Sequence, residues 1–349
     1  KKKMKCKSVI LPEIKGQGQD KQAAKTSLPK QIQPLFYQQF QLLNSSEYIL
    51  IGAGAGFSVD SGLKVYKDIA KIPTYKTMNL DYADLCDPSL LIGKESQQIF
   101  YGFWGTCYND YKQTQPHKGY HQLLNILEKL NKKYFVYTSN VDGFFKRVFP
   151  EDNVFEIHGT LMEWQCSKLC SDFVYCFDED FRFDISPDMR FMFQNQLIEY
   201  YQESFSMVET EDVGSKYKLD PNFMVTLKLK QNCMPICHLC RSPLRPRVLM
   251  FDDDKFMENE AEAEQFAVFS KEMMKSKSLL LLEFGCGLRV PTIRENFERW
   301  LRIRLKKGKL AQLVRVNPGE EKLGVKTRAW AGKVQHVKVG AEEFIKGLQ

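Results

Sequence analysis

Residues 48–68 read YILIGAGAGFSVDSGLKVYKD, an apolar run that stops in glycines alternating with alanine and then turns polar. The run Tyr48–Ile51 is aromatic or branched and is bounded by a breaker, which predicts a short buried strand. Gly52, Gly54 and Gly56 allow a tight turn and a close approach with no Cβ in the way. A strand that runs into a glycine turn is how many α/β folds bring main-chain N–H groups to a pyrophosphate. The dinucleotide fingerprint spaces its glycines as G-x-G-x-x-G, and here the third glycine comes one residue early. No acidic residue closes a second strand at the usual distance. An ordinary tight turn would read the same way, so the rest of the chain has to decide.

The chain has 349 residues, 43% of them hydrophobic and 13% aromatic, enough for one large domain with a smaller module. Its formal charge of +7 is unevenly placed. Residues 1–30 hold nine lysines against Glu13 and Asp20, so everything that follows balances to zero. That distribution predicts a basic, flexible leader and gives the core no nucleic-acid signal. No stretch approaches the ~20 apolar residues of a membrane span. Without a secretory h-region the expectation is an intracellular protein, cytoplasmic or nuclear. A leader with Lys and Gln but no Arg keeps a mitochondrial address open. In that setting the ten cysteines are expected to be reduced thiols and a metal site rather than disulfides.

Further strands are expected at Tyr134–Thr138, in NVFEIHGT where a short strand ends in His-Gly, and in RPRVLMF (245–251), SLLLLEFG (278–285) and AQLVRVN (311–317). Residues 116–130 place Leu123, Leu124, Ile126, Leu127 and Leu130 on one helical face, and TIRENFERWLRIRLKK is a second helical pattern. Residues 64–95 show no clean period and are expected to be irregular, whereas 96–111 stand out only for their aromatics. Strands alternating with helices predict an α/β fold with a Rossmann-like, doubly wound parallel sheet. Ligands bind beyond the carboxyl ends of such strands, where the loops at 52–62, 138–143, 158–159, 285–291 and 317–320 lie.

Cys166 and Cys170 form one close pair, and Cys237 and Cys240, in PICHLC, form another. Two thiol pairs separated by a long loop match a tetrahedral structural Zn2+ site with no open position. Cys176 and Cys233 are alternative ligands, His238 lies inside the second pair, and buried reduced cysteines would also account for the pattern. The organisation expected is a leader at 1–30 and a Rossmann-like, nucleotide-binding domain at 31–163 and 241–349. A zinc-binding module at 164–240 carries an insertion at 171–232.

Seven short signals then occur in a fixed order: GAGFSVDSGL (54–63), TSNVDG (138–143), EIHGT (156–160), the paired cysteines, PLRPRVLMF (243–251), FGCGLRVPTIR (284–294) and VRVNPGE (314–320). Together, over roughly residues 45–349, they resemble the sirtuin family of NAD-dependent protein deacylases, and most closely its bacterial-type branch. The resemblance implies that Gly54, Ala55, Gly56 and Ser58 lie along the NAD pyrophosphate. It places Asn140 beside the nicotinamide ribose and Val141 and Asp142 at the carboxamide. It makes His158 the catalytic base, Gly285 and Cys286 a further cofactor loop, and Asn317 an adenosine-ribose contact. Such chemistry needs a base that titrates near neutrality, for which histidine is suited. A structural role remains open for His158, as does a helix N-cap for Asp142.

The chain also departs from the family. Lys64-Val65-Tyr66-Lys67 stands where Pro-Asp-Phe-Arg is usual, which removes a bidentate cation. Asp252-Asp253-Asp254 replaces Gly-Glu or Gly-Asp at the acyl-peptide clamp, where loss of glycine is expected to disturb strand-like pairing with an acylated protein or peptide substrate. Three functions follow: an NAD-dependent lysine deacylase, an NAD hydrolase or ADP-ribosyltransferase, and an inactive subunit that joins a larger assembly through its leader or insertion.

Overall fold

The apolar runs pair edge to edge because strands covered on both faces leave no place for polar alternation. The computed structural model describes residues 36–64, 68, 72–193, 224–227, 229, 232–319 and 332–349. The leader at 1–30, residues 65–67 and most of the insertion lie outside the described residues.

Strands β1 (Tyr48–Ala53), β2 (Lys133–Thr138), β3 (Val154–Glu156), β8 (Ser278–Phe284), β9 (Leu310–Val316) and β10 (Val334–Val337) form a wholly parallel sheet. Its order is β10-β9-β8-β1-β2-β3. The two-residue period of a strand sorts its side chains. Ile49 and Ile51 face one core with Val136, Leu280 and Leu282, while Tyr48 and Leu50 face the other with Phe135, Leu279 and Leu281. Helices α1 (Tyr37–Ser45), α5 (Lys118–Lys129) and α8 (Ala341–Gly347) cover the first face; α6 (Glu260–Met273) and α7 (Thr292–Lys306) cover the second. Of the α5 leucines, Leu123 and Leu127 are buried with Ile126, and Leu124 and Leu130 pack at the edge.

A second sheet, in the order β6-β5-β4-β7, contains β4 (Gly159–Cys166), β5 (Val174–Phe177), β6 (Met224–Leu227) and β7 (Leu244–Val248). The 245–251 run therefore does not join the parallel sheet; β7 runs antiparallel to β4. Likewise NVFEIHGT is two strands in different sheets with a turn at Ile157–His158, and His158 sits in that turn. The division expected at 163/164 falls within β4, and that at 240/241 falls just before β7. Described parts of the expected insertion are woven into this core, since Phe177, Phe181, Phe183 and Phe191 pack with Tyr101 and Trp164. Residues 73–91 are not wholly irregular but hold the short helices α2 (Pro73–Thr77) and α3 (Tyr82–Leu85) and a 3-10 turn at Pro88–Leu91.

The aromatic segment at 96–111 belongs to α4 (Lys94–Gln113), twenty residues long, with Phe100 to Gly105, Cys107, Tyr108 and Tyr111 all buried. Its polar face is reduced to Thr106, Asn109, Asp110 and Gln113 beyond a polar first turn, so the aromatics mask its period in the sequence. Among the described residues no helix is long and apolar enough to cross a membrane.

Candidate functional site

All six parallel strands end toward the same edge, and the loops that leave them pack on one another there. Gly54 N–H donates to the Phe284 carbonyl at 3.0 Å and Gly56 N–H to the Gly285 carbonyl at 3.1 Å. A Cβ on Gly56 would lie 2.7 Å from the Gly285 Cα, and Gly285 itself has φ +57°. These glycines let the β1 and β8 loops touch backbone to backbone, so the close approach they permit is first of all to each other. The Asn317 side chain extends the contact by donating to the Cys286 carbonyl at 3.3 Å, and the Cys286 thiol is buried.

Ser58 stands in the 3-10 turn Ala55–Ser61 that follows β1, facing the loop that leaves β2. Its hydroxyl donates to Asp142 Oδ2 at 2.6 Å, and Asn140 Nδ2 donates to Ser58 Oγ at 3.2 Å. Asp142 Oδ1 accepts the Phe144 N–H at 2.9 Å, so the carboxylate also closes a turn, though not the helix cap left open by the sequence. Burial raises the Asp142 carboxyl above its ordinary value, against the Ser58 and Phe144 hydrogen bonds and the charge of Arg147. The neighbouring Val141 differs, with its side chain in the apolar cluster around α4 and its carbonyl accepting the Leu161 N–H at 2.9 Å.

Ala55, Ser58, Asn140 and Asp142 line a narrow cleft with Leu63, Lys64 and Tyr111. Asn140 Oδ1 is buried and has no hydrogen-bond partner among the described residues. An orphaned acceptor beside a hydroxyl and a carboxylate is costly unless something else satisfies it. The residue types fit a ligand with hydroxyl and amide groups, as NAD has. Sequence reasoning missed Tyr111, Leu63 and Lys64 as lining residues. The aromatic density at 96–111 was the available signal for Tyr111, but it does not say which ring turns toward a cleft.

His158 does not line this cleft. It is pinned close by: the Ile157 N–H donates to the Thr138 carbonyl at 2.9 Å, and the His158 carbonyl accepts the Leu249 N–H at 2.9 Å. One turn earlier, the Lys146 ammonium lies 2.9 Å from Glu156 and 2.6 Å from Glu262, tying β3 to the start of α6. On the other side, Gly159 has φ +73°, and a Cβ there would lie 1.9 Å from the Arg247 carbonyl oxygen. Only glycine fits. Burial lowers the His158 pKa from 6.5 to about 4, partly offset by a hydrogen bond to the Ser139 backbone. The base expected to titrate near neutrality is thus neutral well below it, because the imidazolium is poorly solvated there.

After β7 the chain turns at Asp252, which has φ +51°. Aspartate is among the few residues that enter this left-handed region readily, so Asp252 supplies the turn that a glycine would. Asp253 is not a solvated acid. Its carboxylate pairs with Arg245, with both side chains 1% exposed, and it accepts the Met250 and Lys255 N–H groups. Asp253→Ala is expected to cost about 3–5 kcal/mol, because Arg245 would be left buried without its partner. Asp252→Gly should change stability by less than about 1 kcal/mol. Urea unfolding checks both, and a loss below 1 kcal/mol for Asp253→Ala would contradict the pairing.

The four thiolate candidates come together beside the second sheet. The sulfurs of Cys166, Cys170, Cys237 and Cys240 all lie within 4.8 Å of one another, with 3.4 Å between Cys166 and Cys240 and between Cys170 and Cys237. Zinc–sulfur bonds of about 2.3 Å in a tetrahedron separate sulfurs by about 3.8 Å, so the group fits Zn2+. Cys176 instead lies 3.3 Å from Thr226 Oγ1, and neither it nor Cys233 joins the four. His238 Nδ1 is 3.0 Å from the Tyr175 hydroxyl, which also lies 3.3 Å from Cys237 Sγ. The sequence alternatives therefore fall behind the ligands or away from them.

Comparison with known proteins agrees with this arrangement. Residues 54–182 match the model of the Sir2 family. An NAD-dependent protein deacylase of Candida albicans is 26% identical over 268 residues, covering 75% of this chain and 81% of that protein. A Sir2 homologue solved as its NAD complex superposes with a TM-score of 0.54 at 16% identity, covering 89% of this chain and 91% of its own. A Sir2 structure described with p53 peptide and NAD+ gives 0.53 at 19% identity, covering 89% and 95%. The chain has the fold of these Sir2 structures, and its residues 54–182 carry the sequence pattern of the Sir2 family.

Proposed function

We propose that this protein is an NAD-dependent protein-lysine deacylase that yields nicotinamide and O-acyl-ADP-ribose. The observation that carries the proposal is the Ser58–Asn140–Asp142 cluster, with its unsatisfied Asn140 acceptor, inside the stretch that matches the Sir2 family. The likeness to a named deacylase along three quarters of the chain supports the same reading. When bound, NAD supplies an anomeric carbon activated by a nicotinamide leaving group.

The roles of the protein's own residues follow from their surroundings. Asn140 and Asp142 bind and orient, since both are buried and fixed by Ser58. Two loops locked together at Gly56 and Gly285, with Asn317 at their edge, offer a firm bed for a dinucleotide. His158 is unprotonated throughout the neutral range, the form that can accept a proton, while the burial that lowers its pKa to about 4 also makes it a weaker base than a solvated imidazole. Zinc, held by the cysteine tetrad with no coordination position to spare, serves structure alone.

Incubation with NAD and an acyl-lysine peptide, followed by separation of the products, tests the proposal. Acylated ADP-ribose is expected alongside nicotinamide. Free ADP-ribose without the acyl product would instead assign an NAD hydrolase, and no nicotinamide at all would assign a non-catalytic subunit.

A further inference from the structure

We propose that Tyr120 is a positioning residue that sets the hydrogen-bond polarity of the Ser58–Asn140–Asp142 cluster. The inference rests on the functional reading above and assigns a role to a side chain outside the cleft. Tyr120 lies on α5, fully buried, with its hydroxyl 3.1 Å from Ser58 Oγ.

Counting protons fixes the directions. Ser58 gives its single hydroxyl proton to Asp142 Oδ2 at 2.6 Å, while Asp142 Oδ1 accepts the Phe144 N–H. Asn140 Nδ2 can only donate, and it donates to Ser58 Oγ. Ser58 then has no proton left for Tyr120, and the Tyr120 hydroxyl must donate to it. Ser58 Oγ thereby receives two hydrogen bonds and gives one, which polarises its own O–H toward the carboxylate. With Nδ2 engaged, the Asn140 amide has one orientation, and its Oδ1 is the atom left without a partner.

The surroundings of Tyr120 hold it in this role. Its ring is clamped by Phe57 at 4.6 Å, His117 at 4.8 Å and Phe145 at 4.8 Å between centroids. His117 accepts the Gly119 N–H on Nδ1 and lies 3.0 Å from the Phe57 carbonyl through Nε2, so it is the neutral Nε2–H tautomer. Burial also holds the Tyr120 phenol well above its ordinary pKa, so it stays a donor.

Tyr120→Phe removes only the hydroxyl and keeps the ring packing. In the full-length protein we expect NAD affinity, measured by calorimetry, to fall about tenfold, while kcat at saturating NAD stays within about threefold and the thermal midpoint barely moves. A loss of one hydrogen bond to a charged network has about that size. In a Ser58→Ala background the same change should add less than twofold, since Tyr120 acts through Ser58. Additive effects, or equal falls in kcat and affinity, would overturn the role while leaving the deacylase reading intact. A wild-type protein that binds no NAD would overturn both. In tyrosine-labelled protein, the Tyr120 hydroxyl proton should be protected from exchange and close to the Ser58 methylene. A rapidly exchanging hydroxyl would show that the donation does not exist.

Discussion

His158→Ala is expected to lower acyl transfer by about 10²–10⁴-fold, the usual contribution of a general base, and to leave NAD affinity close to that of the wild type. The split follows from position. His158 stands outside the cleft lined by Ser58, Asn140 and Asp142, held in a turn between the two sheets. Its removal takes away a proton acceptor while leaving the Ser58–Asn140–Asp142 cluster in place, so rate is expected to fall more than occupancy. Asp142→Ala has the opposite signature, weaker binding first, because it removes the acceptor that orders Ser58 and closes the turn at Phe144. The pH profile adds an independent check. With a pKa near 4 rather than 6.5, the unprotonated ring persists as the solution is acidified from pH 8 to 5. The acid limb of kcat/KM due to His158 therefore lies below pH 5. Stability moves with the same sign. The unfolded chain takes up a proton at this histidine below about pH 6.5 while the folded one resists until about pH 4. The contribution is complete above 6.5 and is lost as pH falls through that window. A His158→Ala protein with unchanged turnover would remove His158 from the reaction.

The parts of the site that could be read from sequence are those in which local chemistry dictates local structure. Leu279–Leu282 and Tyr48–Ile51 read as buried strands because a parallel strand covered on both faces must be apolar throughout. The glycines at 54, 56 and 285 marked the loops because no other residue permits that approach. The cysteine spacing announced a metal site because four sulfurs must meet at one point. What escaped depends on long-range packing. A run such as Arg245–Phe251 shows that it pairs, but not with which strand, and its partner is β4 in the second sheet. Helix α4 escaped because its packing against Trp164, Phe177, Phe183 and Leu244 leaves a polar face too narrow to stand out among its aromatics. The pKa of His158 escaped because desolvation belongs to the folded surroundings rather than to the residue. Tyr120 gave no local signal, its hydroxyl being matched to Ser58 only by the packing of α5 against the β1 loop.

Loss of the metal site is the other large effect. Cys237→Ser is expected to lower the thermal midpoint far more than Cys107→Ser, although both side chains are buried. Cys107 is a thiol in the apolar cluster around α4, where exchanging sulfur for oxygen is an ordinary core change, typically about 0.5–3 kcal/mol. Cys237 is one of four ligands, and structural zinc in small folded units contributes roughly 10–16 kcal/mol, much of which depends on a complete ligand set. The damage has a predictable course. Cys166 ends β4 and Cys237 precedes β7, and these two strands pair from Gly159–Val248 to Cys166–Leu244. Without the metal, the Cys166–Leu244 end is expected to open first, since the segments beside it at 167–173 and 237–243 are turns and loops. The parallel sheet has its own two cores and should persist. Limited proteolysis of Cys237→Ser protein should therefore cut near those loops while fragments from the six-stranded sheet remain protected. Opening the ladder also frees the Gly159 end beside His158, so turnover should fall with metal loss although the metal takes no part in the reaction. Metal analysis of freshly purified, reduced protein should find close to one zinc per chain. Zinc-free protein with unchanged stability, or a Cys237→Ser variant no less stable than Cys107→Ser, would mean that the four thiols pack as a cluster and nothing more.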